Sequence, residues 1–143
     1  MSRLPFIATV ILALSAAAAL AASQPPVTGA ISPASGDLQA GAVYTFTATF
    51  DDPDGYEDIA DCRVLLNTAI SGANGIFVFY DAVSNKLFLR NDNNTAWLGG
   101  YAPGSAGSMD NSRCAVYCSG SSVSGSGNRL TCLLYTSPSP RDS

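Results

Sequence analysis

The stretch VYTFTATF, residues Val43–Phe50, decides the fold class. Apolar residues occupy every second position, with threonine at the positions between them. Because successive side chains of a β-strand point to opposite faces, this alternation predicts a strand with one face in a hydrophobic core and the other towards solvent. The predicted inward set is Tyr44, Phe46, Ala48 and Phe50.

Seven further segments have the length and the β-branched or aromatic content of strands. Clusters of Gly, Pro, Asn and Asp separate them at intervals of about 8–12 residues, and no segment has a helical period. This spacing predicts an all-β protein, a sandwich or a barrel. The segments are Val27–Ile31, Ile59–Asn67, Gly75–Asp81, Lys86–Asn91, Thr95–Gly99, Arg113–Cys118 and a strand that begins at Asn128.

Two segments carry more particular expectations. The nearly continuous apolar run Phe77–Tyr80 predicts a central strand that is covered on both faces. The serine-rich stretch Ser119–Ser126 predicts a flexible hairpin turn, because it lacks both the lysine and the helix that a phosphate-binding loop requires.

The amino terminus has the order of a secretory signal peptide. Ser2 and Arg3 precede the apolar run Leu4–Leu20, and small residues follow it up to Ser23. The alternative is a transmembrane anchor, which the alanine content and the small-residue ending disfavour. We therefore expect residues 1–23 to be a signal peptide, and the chain to be secreted or to lie at a bacterial cell surface with no stable membrane span after cleavage.

The carboxyl terminus is expected to be foreign to the domain. Residues Cys132–Asp142 read CLLYTSPSPRD, which matches the translation of a transposase mosaic-end sequencing adapter. The alternative is a natural Ser/Pro-rich tail. We expect residues 132–143 to be an adapter artefact and residues 24–131 to be one domain that is incomplete at its carboxyl end.

The segment YTFTATFDDPDGYEDIADCRVLLN and the motif WLGGYAPGS, residues Trp97–Ser105, carry a family resemblance. Residues 26–131 resemble an immunoglobulin-like or fibronectin type III-like module of secreted and cell-surface proteins of soil bacteria. The resemblance implies an antiparallel immunoglobulin-like β-sandwich whose later strands are missing. It implies no particular biochemical activity.

Three cysteines remain once Cys132 is assigned to the tail. Cys114 and Cys118 are about 13 Å apart on an extended strand, too far for a disulfide unless the chain turns between them. We expect Cys62 to pair with Cys114 or Cys118 in an oxidising compartment. A zinc site is disfavoured because the chain has no histidine and no paired C-x-x-C spacing.

The turn that follows the threonine strand is strongly acidic, and its carboxylates repel one another unless they are solvated or bound to a cation. Oxygen ligands suit Ca²⁺, although the spacing does not match an EF-hand and Asp-Pro-Asp-Gly is good turn chemistry. The sequence favours a solvated turn and keeps Ca²⁺ as the alternative cofactor. The candidate ligands are Asp51, Asp52, Asp54, Glu57 and Asp58.

Three aromatic residues, Trp97, Tyr101 and Tyr56, are candidates for a platform that stacks on sugar rings. Packing in the core or in a loop is the favoured alternative, because a single tryptophan in a sandwich usually lies in the core. The two interpretations predict different exposure of the Trp97 ring.

Composition excludes some function classes and disfavours others. With a net charge of −4, the chain is not expected to have the basic patch of a nucleic-acid-binding protein. It has no histidine, which is the commonest general base. We expect no catalytic residues and a structural or adhesion module of a larger secreted or cell-surface protein. Its partners would be other domains of the same chain, surface proteins or glycans. The alternatives are an accessory carbohydrate-binding domain and the non-catalytic amino-terminal part of an extracellular enzyme.

Overall fold

The computed structural model describes residues 3–11 and 24–138 of the 143-residue chain. These residues form twelve β-strands and two short 3₁₀ helices, Tyr56–Asp58 and Cys118–Gly120, with no α-helix among them. The strands are β1 (Arg3–Ile11), β2 (Val27–Ser32), β3 (Ser35–Gln39), β4 (Tyr44–Asp51), β5 (Asp61–Asn67), β6 (Ile76–Asp81), β7 (Lys86–Arg90), β8 (Trp97–Tyr101), β9 (Ser108–Asp110), β10 (Cys114–Tyr117), β11 (Ser122–Ser126) and β12 (Arg129–Pro138).

The strands form two antiparallel sheets. One sheet has the order β3-β1-β5-β6-β7-β8, and the other has the order β2-β4-β12-β10-β9, with β11 also paired to β12. Apolar side chains from one face of each sheet form a common core, as in a β-sandwich. The predicted all-β class and the two-sheet antiparallel architecture are therefore confirmed.

The threonine strand β4 behaves as its alternation predicts. Phe46, Ala48 and Phe50 are buried in the core, whereas Thr45 is exposed. The ring of Phe6 in β1 meets Phe46 edge to face at 5.5 Å between ring centroids, an arrangement that aromatic quadrupoles favour.

The eight predicted strands all overlap strands of the structure, and their boundaries differ by a few residues at most where both ends were predicted. The sequence predicts no strand over the residues of β3 and β9. The expectation of a flexible turn over Ser119–Ser126 is wrong for Ser122–Ser126, because these residues pair with β12 as strand β11. Serine and glycine have low strand propensity, so only the tertiary pairing reveals this strand.

The central strand β6 corrects a second expectation. Val78 and Tyr80 point into the core and are buried, but Phe77 and Phe79 are only half-buried on the outer face. Other side chains of the same sheet contact their rings. Among the residues that the structure describes, no second layer of secondary structure covers this face.

Both chain ends that the sequence treats as separate from the domain contribute strands. Residues 3–11, within the predicted signal peptide, form β1 between β3 and β5, and residues 132–138 of the predicted adapter tail belong to β12. Residues 12–23 and 139–143 lie outside the described residues. These strand pairings test neither the cleavage of the leader nor the origin of the tail, so both stay predictions.

Candidate functional site

The acidic turn lies between β4 and β5 at one end of the sandwich. Asp52 Oδ1 accepts a hydrogen bond from the amide of Asp54 at 2.8 Å, and the carbonyl of Asp52 accepts the amide of Gly55 at 3.0 Å. Gly55 has φ of 118°, a conformation that favours glycine. The Asp-Pro-Asp-Gly sequence thus folds the chain back into the short 3₁₀ helix that carries Asp58.

This turn brings together three of the five predicted ligands. Carboxylate oxygens of Asp52, Asp54 and Asp58 lie within 4.8 Å of one another, with Asp52 buried and the other two exposed. The amide of Gln24 donates to Asp54 Oδ2 at 2.5 Å. Oxygen ligands at this spacing suit a hard cation such as Ca²⁺, and the exposure of two carboxylates suits a solvated turn equally well.

The other two predicted ligands lie outside this group. Asp51 forms a two-point ion pair with Arg129, at 2.7 Å to Nε and 3.0 Å to Nη2. Hydrogen bonding to Arg129 holds the pKa of Asp51 below its usual range, so the carboxylate stays ionised and the guanidinium balances its charge. Glu57, in the first turn of the 3₁₀ helix, is not part of the three-carboxylate group.

A second candidate site lies on the outer face of the first sheet. We call it the aromatic face and define it by six residues. Phe79 and Phe88 stack at 5.5 Å between centroids, and the Trp97 ring lies 5.2 Å from Phe79. The residues of the aromatic face are Arg63, Phe77, Phe79, Phe88, Arg90 and Trp97, all of them half-buried.

Two guanidinium groups lie over rings of this face. The Arg90 guanidinium carbon is 4.7 Å from the centroid of Trp97, and that of Arg63 is 5.4 Å from the centroid of Phe79. Both distances are within the range of cation–π attraction. The aromatic face therefore combines apolar rings with positive charge in a chain whose net charge is −4.

The structure separates the three aromatic residues that the sequence grouped. Trp97 contacts the rings of β6, whereas the exposed Tyr101 lies four residues further along β8. Tyr56 packs against the edge of the hydrophobic core from the 3₁₀ helix. The rings that contact Trp97 are those of two phenylalanines of β6. The sequence signal for this cluster is the presence of phenylalanine at alternate positions of IFVFYD, residues 76–81, and in the middle of KLFLR, residues 86–90.

The four cysteine thiols are in environments that lower their reactivity. All four thiols are free and buried in the structure, and burial raises the pKa of each one, that of Cys132 to about 12. Thiols held protonated in this way are poor nucleophiles and poor metal ligands. Burial is the main cause of the raised pKa of Cys62, and the neighbouring thiol of Cys132, on the facing sheet, is the second. Pairing of Cys62 with Cys114 or Cys118 stays a prediction.

No protein-family model, curated protein or solved structure matches the chain. Within the described ranges, no helix has the length and hydropathy needed to cross a membrane. A cavity of about 80 Å³ beside Phe6 and Ile76 is smaller than the pockets that hold small-molecule ligands.

Proposed function

We propose that this chain is a non-catalytic structural and adhesion module of a larger secreted or cell-surface bacterial protein, of immunoglobulin-like or fibronectin type III-like kinship. The observation that carries the proposal is the aromatic face on a rigid two-sheet scaffold. A cluster of half-buried aromatic rings with cations on an outer sheet face can serve as an interaction site. Partners would be other domains of the same protein, surface proteins or glycans, with no nucleic acid among them.

The chemistry of the side chains supports a role without catalysis. Histidine is absent from the sequence, and the buried thiols are protonated at neutral pH. The three carboxylates that converge, those of Asp52, Asp54 and Asp58, lie within 4.8 Å of one another in a single turn rather than as an acid and a base on opposite sides of a cleft. An interaction module needs none of these groups.

Sedimentation with purified bacterial envelopes tests this proposal. The full chain is labelled, mixed with envelopes, and pelleted, while the supernatant is assayed for released sugars and peptides. We expect saturable binding without release of product. Product release would contradict the non-catalytic assignment, and absence of binding to every envelope preparation would contradict adhesion.

The accessory carbohydrate-binding domain is the second candidate function, and the aromatic face favours it specifically. Aromatic rings on an open sheet can stack on the apolar faces of sugars. A glycan array separates the two functions, because a carbohydrate-binding domain selects a sugar class whereas a protein-binding module does not.

Export is part of the proposal and has its own test. Residues 1–23 fused to alkaline phosphatase, which is active only outside the cytoplasm, should give active enzyme, and mass spectrometry should find cleavage near Ser23. Inactive fusion protein would contradict secretion. If cleavage occurs, β1 leaves with the leader and β5 becomes an edge strand of the mature sheet.

We expect no resident metal cofactor and keep Ca²⁺ as the alternative for the acidic turn. Calorimetry of the full chain with millimolar Ca²⁺ should then show no binding heat. A binding isotherm that Asp52→Asn abolishes, and that Asp37→Asn leaves intact, would assign the turn as a Ca²⁺ site instead.

A further inference from the structure

The register of the first sheet arranges the aromatic face in two rows. In one row Arg63 lies opposite Phe79, and Phe79 lies opposite Phe88. In the next row Leu65 lies opposite Phe77, and Arg90 lies opposite Trp97. Because alternate residues of a strand share a face, both rows point away from the core. Leu65 is buried, and the half-buried residues of the two rows form one surface across four strands.

The surface is open rather than pocket-shaped. Gly100 on β8 carries no side chain, and a Cβ at that position would lie 3.3 Å from a carbon of the Phe88 ring, so no side chain of this residue covers the ring on that side. A glycine at such a position often marks where a ligand approaches a strand closely. A flat surface of this kind fits an extended polymer better than a compact small molecule.

The charge of this face is positive where its aromatic rings are concentrated. Arg90 donates from Nε to Asn94 Oδ1 at 2.7 Å and from Nη2 to the Asn94 carbonyl at 3.0 Å. These partners are neutral, and no carboxylate pairs with Arg90 in the described part of the chain. Its guanidinium is thus fixed over Trp97 with its charge uncompensated and Nη1 left to donate.

The second cation is partly compensated. Arg63 Nε lies 3.5 Å from Asp61 Oδ1, and Asp61 lies opposite Asp81 at the same end of the face. An anionic ligand is therefore attracted most strongly at the end that holds Arg90 and Trp97, because at the other end Asp61 and Asp81 offset the charges of Arg63 and Lys86. Arg63 and Arg90 are two strands, or about 10 Å, apart across the sheet.

We propose that the aromatic face binds an acidic polysaccharide, its sugar rings packed against Trp97, Phe79 and Phe88 beside the guanidinium groups that lie over Trp97 and Phe79, and its carboxylates paired with Arg90 and, further along, with Arg63. The inference rests on the proposed adhesion function and names its ligand class. Guanidinium groups that attract carboxylates and aromatic rings that pack against sugars both lie on one surface. Neutral polysaccharides would use the rings but leave the two cations without partners.

Affinity electrophoresis of the full chain through gels containing polygalacturonate tests the proposal. EDTA is included so that calcium cannot bridge the acidic turn to the polymer. We expect retardation that weakens with added salt and with methyl-esterification of the polymer, since both reduce its interaction with arginine. Arg90→Gln should weaken binding about tenfold, because it removes a hydrogen bond between charged groups, and Trp97→Ala should weaken it at least as much.

Two matched variants control for general effects. Arg129→Gln removes a cation outside the aromatic face, and Tyr101→Ala removes an exposed aromatic ring that does not contact Trp97; both should retain wild-type retardation. Trp97→Phe, which keeps a ring, should bind more tightly than Trp97→Ala if contact between the aromatic ring and the sugar contributes to binding. Thermal melts establish that each variant is folded before its retardation is compared.

Several outcomes would overturn the inference, and they are distinguishable from failure of the proposed function. Equal retardation by the esterified polymer, or equal loss in Arg129→Gln and Arg90→Gln, would exclude the assigned charge contacts. If Trp97→Ala leaves envelope binding unchanged, the aromatic face is not the binding site, although the adhesion function still holds. Envelope binding that protease treatment of the envelopes abolishes would indicate a protein partner instead. Absence of binding to both envelopes and polygalacturonate would contradict both proposals.

Discussion

Strands β6 and β7 carry large apolar side chains on both faces, but the two faces have different surroundings. The inward side chains Val78, Leu87 and Leu89 are at most 2% exposed and belong to the core between the sheets. The outward Phe79 and Phe88 are half-buried and contact one another. The comparison teaches that an apolar run in a strand does not by itself show burial, because one face can stabilise the fold while the other remains available to a ligand.

The largest expected effect comes from neighbouring residues on opposite faces of β7. Leu89→Ala should lower the free energy of unfolding by about 2–5 kcal/mol, because it leaves a cavity in the core. Phe88→Ala should cost about 1 kcal/mol, because a half-buried ring loses correspondingly less transfer free energy. Urea unfolding measures both. Equal losses would show that a further layer covers the outer face, and the comparison would fail.

The sequence predicts the inner half of this comparison better than the outer half. Alternation in β4 predicts its buried face because one side is apolar and the other is threonine. The run Phe77–Tyr80 is apolar on both sides, so its pattern cannot distinguish a second covering layer from a ring cluster. That distinction depends on the register of the β6–β7 and β7–β8 hairpins, which places Phe79 opposite Phe88 and Arg90 opposite Trp97.

The candidate metal ligands show the same limit. Composition and turn chemistry predict an acidic turn, and three of the five carboxylates do converge there. The sequence does not reveal that Asp51 is paired with Arg129, because 78 residues separate them and only the pairing of β4 with β12 brings them together. Local patterns therefore predict turns and alternating strands, whereas cross-strand partners depend on the tertiary fold.

The second expected effect concerns Gly99, at the border between the two faces. Its φ is +102°, and an added Cβ would point inward, against the side chain of Met109 and 3.2 Å from the Leu87 carbonyl. Gly99→Ala should therefore cost about 1–3 kcal/mol of unfolding free energy from backbone strain, with the contact in addition. Gly104→Ala is the matched control, because Gly104 has φ of +85° but no atom within 4 Å of the added Cβ. Equal costs would show that backbone strain alone accounts for the loss of stability, and that the contact with Met109 adds nothing to it.

A third, smaller effect tests the acidic end of the outer face. Burial raises the pKa of Asp61 above 3.8, despite the nearby Arg63. A raised pKa means that the folded state favours the protonated acid, so the stabilisation is complete below the unfolded-state pKa and is lost as pH rises through the folded-state pKa. The stability of the wild type relative to Asp61→Asn should therefore fall as pH increases from about 3 through this window. A difference that grows with pH would mean that the ion pair with Arg63 outweighs desolvation.

The smallest effect is expected at the exposed pair on the other sheet, where Arg129 lies directly opposite Asp51. Because the pKa of Asp51 is lowered, its contribution is present above the unfolded-state pKa and is lost as pH falls through the folded-state pKa. Arg129→Gln should therefore reduce stability slightly at pH 7, less at high salt, and not at all once Asp51 is protonated. Chemical unfolding at pH 7 and near pH 2 measures this, with Asp51→Asn as the reciprocal variant. A loss that persists near pH 2 would show that the aliphatic part of Arg129 packs against β4. The surface around this ion pair would then be a packed one, like the aromatic face, rather than a solvated one.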